Sequence, residues 1–263
     1  LHKRSEYLSN SGDSLGNYLD HNSGGWQEIL PNGGGECSYK GACLGMHGEI
    51  SSVPWDCRII KDSEEEVVLK ACITTLRSPF RLEKEISLKR DESAITIRES
   101  LTNLAKEPME LMWGHHPTVG KPFLDSSCRI DTNGTVGFSM DQPDFETQRL
   151  KPGTRFAWPA PGNGVDFSNV PGEDADTADM VYITGFPERA WYRVHNENKN
   201  ISYGMSWDGK LFPYMWMWQV SGGSYGYPWY GRTYNLALEP WTSYPSSGLR
   251  KAIENGSALC LEA

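Results

Sequence analysis

Long apolar runs, paired cysteines and clustered basic residues are all missing from this sequence, and each absence removes a class of function. A bilayer-spanning helix needs roughly 18 to 20 successive apolar residues. The longest apolar stretches here fall far short, so no membrane span is expected. Nucleic-acid binding needs concentrated positive charge, whereas the chain carries a formal net charge of −9 with no Lys/Arg cluster. A neutral small molecule is the easier partner. The six cysteines, Cys37, Cys43, Cys57, Cys72, Cys128 and Cys260, are scattered without a CxxC pair. A structural zinc site needs such pairs, so no metal site is expected. So low a cysteine density fits reduced thiols and a cytoplasmic location. No apolar signal core follows Leu1; His2-Lys3-Arg4 stands there instead, and the natural N-terminus is expected upstream or to have been removed.

Gly and Pro, by contrast, are plentiful, at 27 and 16 of 263 residues. The first 35 residues are polar and rich in turn formers, ending in Pro31-Asn32-Gly33-Gly34-Gly35, and read as loop. From Val67 the pattern changes. Val67 to Ile73 is β-prone, and Leu82 to Leu88 and Ala94 to Leu101 alternate apolar and polar residues. Turn signals at Ser78-Pro79, Lys89 to Glu92 and Asn103 to Pro108 separate them, so consecutive antiparallel strands are expected. Further strands are expected at Met180 to Ile183, Ala190 to Val194, Ile201 to Trp207 and Tyr214 to Val220, with Asp208-Gly209 as a hairpin signal between the last two. Residues 150 to 178 form a long loop, either a binding element or a solvated surface. No internal repeat, linker or amphipathic helical stretch interrupts the series. The expected architecture is therefore all-β, a large antiparallel β-sandwich occupying residues 1–263 as one domain.

Chemistry concentrates at two places. Trp113-Gly114-His115-His116-Pro117 follows a β-prone segment, and adjacent strand residues face opposite ways, so only one of the two histidines can enter a given cleft. That arrangement weakens a two-histidine metal site and leaves one imidazole as a candidate acid or base. In Tyr234 to Trp241, Glu239 ends an otherwise apolar run. A buried carboxyl there would have a raised pKa, as a general base working near neutrality requires, whereas an ordinary strand-end Glu would reach solvent. His47, between Met46 and Gly48, is either a ligand contact or a turn residue. Aromatic residues crowd the last third of the chain, including Trp216, Trp218, Trp229 and Trp241, and rings of this kind stack on the apolar faces of sugars as readily as they fill a core.

In this order, Met46-His47-Gly48, Leu101-Thr102-Asn103, His115-His116-Pro117, Asp179 to Ile183 and Leu238-Glu239-Pro240-Trp241, the chain resembles the galactose mutarotase-like family, which includes aldose 1-epimerases and hexose-6-phosphate epimerases. The resemblance implies a supersandwich fold and an aldose 1-epimerase that interconverts the anomers of a free sugar by acid/base ring opening. It assigns His116 as general acid and Glu239 as general base. It places His47 and Asp179 on sugar hydroxyls, with Trp216, Trp218 and Gln219 as walls or polar contacts. No cofactor is implied, and the protein would be a monomer or homodimer. His116 is followed by Pro117-Thr118-Val119 where the family carries an aromatic pair, and the family's Asn-Arg segment upstream of the first His is not found. A hexose-6-phosphate epimerase would need a cationic pocket, for which Arg77, Arg81 and Lys40 are the candidates. A non-catalytic sugar-binding protein is the other alternative.

Overall fold

The computed structural model describes residues 18–20 and 24–263. Much of the expected N-terminal loop, residues 1–17 and 21–23, lies outside the described residues. The strands begin with β1 (Trp26–Ile29), β2 (Cys37–Tyr39), β3 (Ala42–Leu44), β4 (Asp56–Asp62), β5 (Glu66–Thr74) and β6 (Phe80–Lys89). They continue with β7 (Ile95–Asn103), β8 (Met109–Leu111), β9 (Gly114–Val119), β10 (Cys128–Thr132), β11 (Val136–Phe138) and β12 (Arg155–Ala157). The last are β13 (Thr177–Thr184), β14 (Arg189–Asn196), β15 (Ile201–Asp208), β16 (Tyr214–Ser221), β17 (Tyr234–Trp241) and β18 (Leu259–Leu261). A short helix, α1 (Leu249–Glu254), sits between the last two.

The central sheet has seven strands in the order β1-β9-β17-β16-β13-β11-β12. On one face Val181, Ile183, Met215, Met217, Leu236 and Leu238 pack against the three-stranded sheet β10-β14-β15. The other face carries Tyr182, Trp216 and Trp241, which pack with Ile29, Leu44 and the helix residues Leu249 and Ala252. Because both faces are covered, β16 and β17 read in sequence as nearly unbroken apolar runs rather than as alternations. The alternation visible from Val67 to Leu101 belongs to a separate four-stranded sheet, β4-β5-β6-β7, which is half exposed. All-β architecture and antiparallel pairing are as the sequence indicates.

Three local expectations are corrected. Residues read as loop contain β1, which pairs with β9 at the edge of the central sheet. Asp208-Gly209 makes a turn in which the Asp208 carboxylate accepts from the Lys210 and Leu211 N–H groups at 2.8 and 3.3 Å. No hairpin follows, because β15 pairs with β14 whereas β16 pairs with β13 and β17, so the chain crosses between sheets there. The long loop over 150–178 includes β12, and its Leu150, Phe167 and Val170 are buried in the first core, so it seals the sandwich. The six cysteines are all free. Among the described residues, no helix is long and apolar enough to cross a membrane.

Candidate functional site

Strand register assembles the site. In the pairing of β17 with β9, Ala237 lies opposite Thr118 and Trp241 opposite Gly114. Counting inward along both strands sets Glu239 opposite His116. On its other side Glu239 pairs with Trp216 of β16, which in turn pairs with Tyr182 of β13. These side chains share the face away from the three-stranded sheet, where His116, Trp216 and Glu239 line a cavity of about 230 Å³. His116 Nε2 stands 3.5 Å from Glu239 Oε1.

Among the described residues, neither partner has a nearby compensating charge. Glu239 is 1% exposed, and burial pushes its carboxyl up to about 8 against the opposing pull of a hydrogen bond from Trp241. That bond, Trp241 Nε1–H to Glu239 Oε2, is 3.0 Å long. Burial lowers the His116 imidazole to about 4. Water exclusion thus penalises the imidazolium and the carboxylate alike, and the proton of the pair rests on Glu239. His116 Nδ1 lies 3.1 Å from Thr118 Oγ1, so a neutral ring donates there and leaves Nε2 as an acceptor facing Glu239.

The indole that holds Glu239 is itself fixed by packing. Trp241 stacks on Trp216 with ring centroids 4.0 Å apart and planes 14° from parallel. Its ring lies over Gly114, where a Cβ would come within 2.2 Å of it. The glycine before the two histidines therefore makes room for the residue that orients the carboxyl.

His47 reaches the cavity from a turn in which its own φ is 54°, a left-handed conformation uncommon outside glycine. Its Nδ1 accepts from the Gly34 N–H at 3.2 Å, so the ring proton sits on Nε2 as a donor. Burial, aided by His116, holds its pKa well below the usual imidazole range and keeps the ring neutral. The Gly34 backbone passes so close to Ser246 that a Cβ would lie 1.7 Å from its carbonyl oxygen, which explains one glycine of the Gly33-Gly34-Gly35 run. Trp218 meets the His116 ring edge at 5.9 Å and the Trp229 ring at 5.4 Å, forming an aromatic wall.

Of the residues singled out in the sequence, His47, His116, Trp216, Trp218 and Glu239 line this one cavity. Asp179 and Gln219 do not. They face each other across β13 and β16 on the opposite side of the sheet, one position out of phase with Met180 and Trp218. There Asp179 accepts from Arg149 N and Nε, each at 2.7 Å, and Gln219 Oε1 accepts from Arg149 Nη2 at 2.6 Å. Sequence reasoning passed over Tyr18, Asp144 and Ser246, which also line the cavity. Asp144 and Ser246 come from loop and turn segments whose lining role has no periodic signal, and Tyr18 comes from a helical turn at residues 18–20. The Tyr18 ring packs on His47 with centroids 4.7 Å apart, and its hydroxyl donates to Gln27.

His115 points to the other face of β9 and joins a different network. Among the described residues, Glu28, Glu99 and His115 form a group whose ligand atoms lie within 4.8 Å of one another, close enough to consider a metal ion. The donor set does not suit one. Glu28 already accepts from Lys84 Nζ and Trp113 Nε1, each at 2.7 Å. Trp26 Nε1–H donates to His115 Nδ1 at 3.2 Å, which puts the proton of a neutral ring on Nε2, 3.0 Å from Glu99 Oε2. A metal ion there would also meet the Lys84 ammonium, already paired with the Glu28 carboxylate. The cluster instead pins β6 and β7, through Lys84 and Glu99, to β1 and β9.

Residues 30–263 match the family model described as Domain of unknown function (DUF4432). The chain belongs to this DUF4432 family. No curated protein matches the sequence. The solved structures similar to this DUF4432 chain include a "putative aldose 1-epimerase" from Klebsiella pneumoniae subsp. pneumoniae MGH 78578. It has a TM-score of 0.67 and 14% identity over 97% of this chain and 62% of that one. This chain thus spans less than two thirds of that protein's length. A galactose mutarotase related enzyme from Lactobacillus acidophilus aligns with a TM-score of 0.58 and 16% identity, over 90% of this chain and 78% of that one. A galactose mutarotase-like protein from Lactobacillus casei ATCC 334 has a TM-score of 0.55 and 14% identity, over 90% and 80%. At these identities the likeness establishes the fold: this DUF4432 chain is a galactose mutarotase-like β-sandwich.

Proposed function

We propose that the cavity binds a free sugar and that the His116–Glu239 pair interconverts its anomers, the reaction of an aldose 1-epimerase. One observation carries the reading: a buried imidazole nitrogen and a buried carboxyl oxygen 3.5 Å apart, in a sugar-sized cavity walled by tryptophans. Mutarotation needs one group to take the proton of the C1 hydroxyl and another to give a proton to the ring oxygen as the C1–ring-oxygen bond breaks. The open-chain aldehyde then rotates about C1–C2 and recloses on the opposite face.

The pair holds one proton in total, which is what this cycle needs. With that proton on Glu239, neutral His116 accepts from the C1 hydroxyl and the Glu239 carboxyl donates to the ring oxygen. Each transfer reverses on closure. The family resemblance starts the proton on His116 instead; because each group serves both ways in a full cycle, the same pair does the work from either start. The dry site favours the neutral start, which avoids separated charges before the sugar enters. His47, through its Nε2–H, holds a hydroxyl oxygen, and Trp216, Trp218 and Trp229 pack against the ring. No cofactor takes part in these steps.

The test is NMR of pure α-anomers of glucose and galactose, following their approach to equilibrium. Wild type should accelerate it, and His116→Asn and Glu239→Gln should each lose about 10²- to 10⁴-fold. A wild type that binds sugar and accelerates neither anomer's conversion contradicts the proposal.

A further inference from the structure

Asp144 enters the cavity from the segment between β11 and β12, remote in sequence from His116 and Glu239. Its backbone is held by Gln148, whose Oε1 accepts from the Asp144 N–H at 2.9 Å and the Phe145 N–H at 3.4 Å. Among the described residues, the carboxylate itself has one hydrogen-bond contact, a long one of 3.5 Å from Ser246 Oγ. Ser246 is in turn tied to the Tyr182 hydroxyl, at 3.0 Å through Oγ and 3.1 Å through its N–H. A rigid mount thus presents a carboxylate with spare acceptor capacity to the cavity interior.

Among the described residues, the cations nearest in sequence or singled out above are engaged elsewhere. Arg149, five residues along, turns to the opposite face of the sheet to serve Asp179 and Gln219. Arg155 lies over the Phe138 ring. No Lys or Arg is among the described residues that line the cavity. Lys40 and Arg81 pair with Glu107 and Glu83, and Arg77 donates to the Cys43 carbonyl at 2.7 Å.

We infer that Asp144 is a specificity-determining residue: its carboxylate receives hydroxyls of a neutral sugar and excludes sugars bearing phosphate or another fixed negative charge. This inference rests on the reading of the cavity as a sugar site and extends it to substrate class. A carboxylate accepts two hydroxyls at once, whereas a phosphate brought to the same wall would meet like charge with no Lys or Arg among the described lining residues to offset it. Burial raises the Asp144 carboxyl to about 6, in keeping with the missing counter-ion. At neutral pH it remains ionised.

The experiment is a ligand-observed NMR titration with galactose, glucose and their 6-phosphates, on wild type, Asp144→Asn and Asp144→Ala, with anomer exchange measured on the same samples. Wild type should bind the free sugars at least about 100-fold more tightly than the 6-phosphates. Asp144→Asn should weaken free-sugar binding and raise KM by about 10- to 100-fold, the range for a hydrogen bond to a charged group, with kcat within about threefold. The same variant should narrow the gap between free and phosphorylated sugar, which a merely structural defect would not do. Equal binding of both classes by wild type overturns the inference, as does a folded Asp144→Asn with unchanged affinities, or no binding of any of the four sugars. The titration is repeated on Glu239→Gln, so selective binding without anomer exchange in wild type overturns the epimerase reading while leaving the Asp144 inference supported.

Discussion

His115 and His116 are chain neighbours on one strand, both nearly enclosed, yet the protein treats them in opposite ways. On the His115 side burial opposes the imidazolium, but the Glu99 hydrogen bond and charge outweigh it, so the pKa rises. On the His116 side burial meets no fixed counter-charge, so the pKa falls to about 4 while that of Glu239 climbs to about 8. The difference lies in what surrounds each ring. Lys84, Glu28 and Glu99 form a compensated network around His115, whereas tryptophans surround His116 and Glu239. A compensated network holds sheets together; an uncompensated pair is poised to exchange a proton with a ligand.

The largest test of that contrast is to remove each imidazole in turn. His116→Asn should abolish anomer interconversion by the factor given above, while His115→Asn should leave the rate within about threefold and act on stability. The sign for His115 follows from its raised pKa. Its stabilising contribution is fully present below 6.5 and is lost as pH rises through the folded value. Thermal denaturation of His115→Asn should therefore show its greatest deficit at acidic pH.

Next in size is the pH dependence of the pair. With limbs near 4 and 8, kcat/KM measured on the neutral sugar should be flat across the middle of that range and fall outside it, the two values belonging to the pair as a unit. Stability adds a second check. Between 4.5 and about 8 folded Glu239 keeps a proton that the unfolded chain releases, so wild-type stability falls as pH rises across that window. Between about 4 and 6.5 His116 acts in the opposite sense, and above 6.5 His115 acts in the same sense, so the Glu239 contribution is isolated by difference between wild type and Glu239→Gln. Glu239→Gln should therefore gain stability over wild type from pH 6.5 to 8, read as a widening Tm difference.

A smaller effect is expected at Trp241. Trp241→Phe keeps the stacked ring and deletes the N–H to Glu239, so the alkaline limb should move upward and kcat should fall by about threefold to tenfold. The last expected effect is on stability, from Gly114→Ala. It should cost about 1 to 3 kcal/mol of stability by forcing Trp241 aside, measured by urea denaturation.

Much of the pair's surroundings was legible in the sequence. Opposed side chains on a strand already separate His115 from His116, and a Glu inside Leu236 to Trp241 already suggests an enclosed carboxyl. The strands of the half-exposed sheet announced themselves by alternation. Asp179 and Gln219 show where this kind of reading stops. In β13 and β16 both faces are buried, so apolar content does not reveal which parity faces the cavity, and register through β17 is needed to separate Met180 and Trp218 from their neighbours. Asp144 was hidden for another reason: it reaches the cavity from an irregular segment, where no period predicts direction.

One face of β9 carries a compensated network and the other an uncompensated pair. The most direct measurement of that contrast is an NMR titration of the two imidazoles in the wild-type protein, assigned with His115→Asn and His116→Asn. The account predicts that His116 stays neutral down to a pH near 4 while His115 titrates above 6.5. Both rings titrating near 6.5, or His116 holding its proton at higher pH than His115, would contradict it.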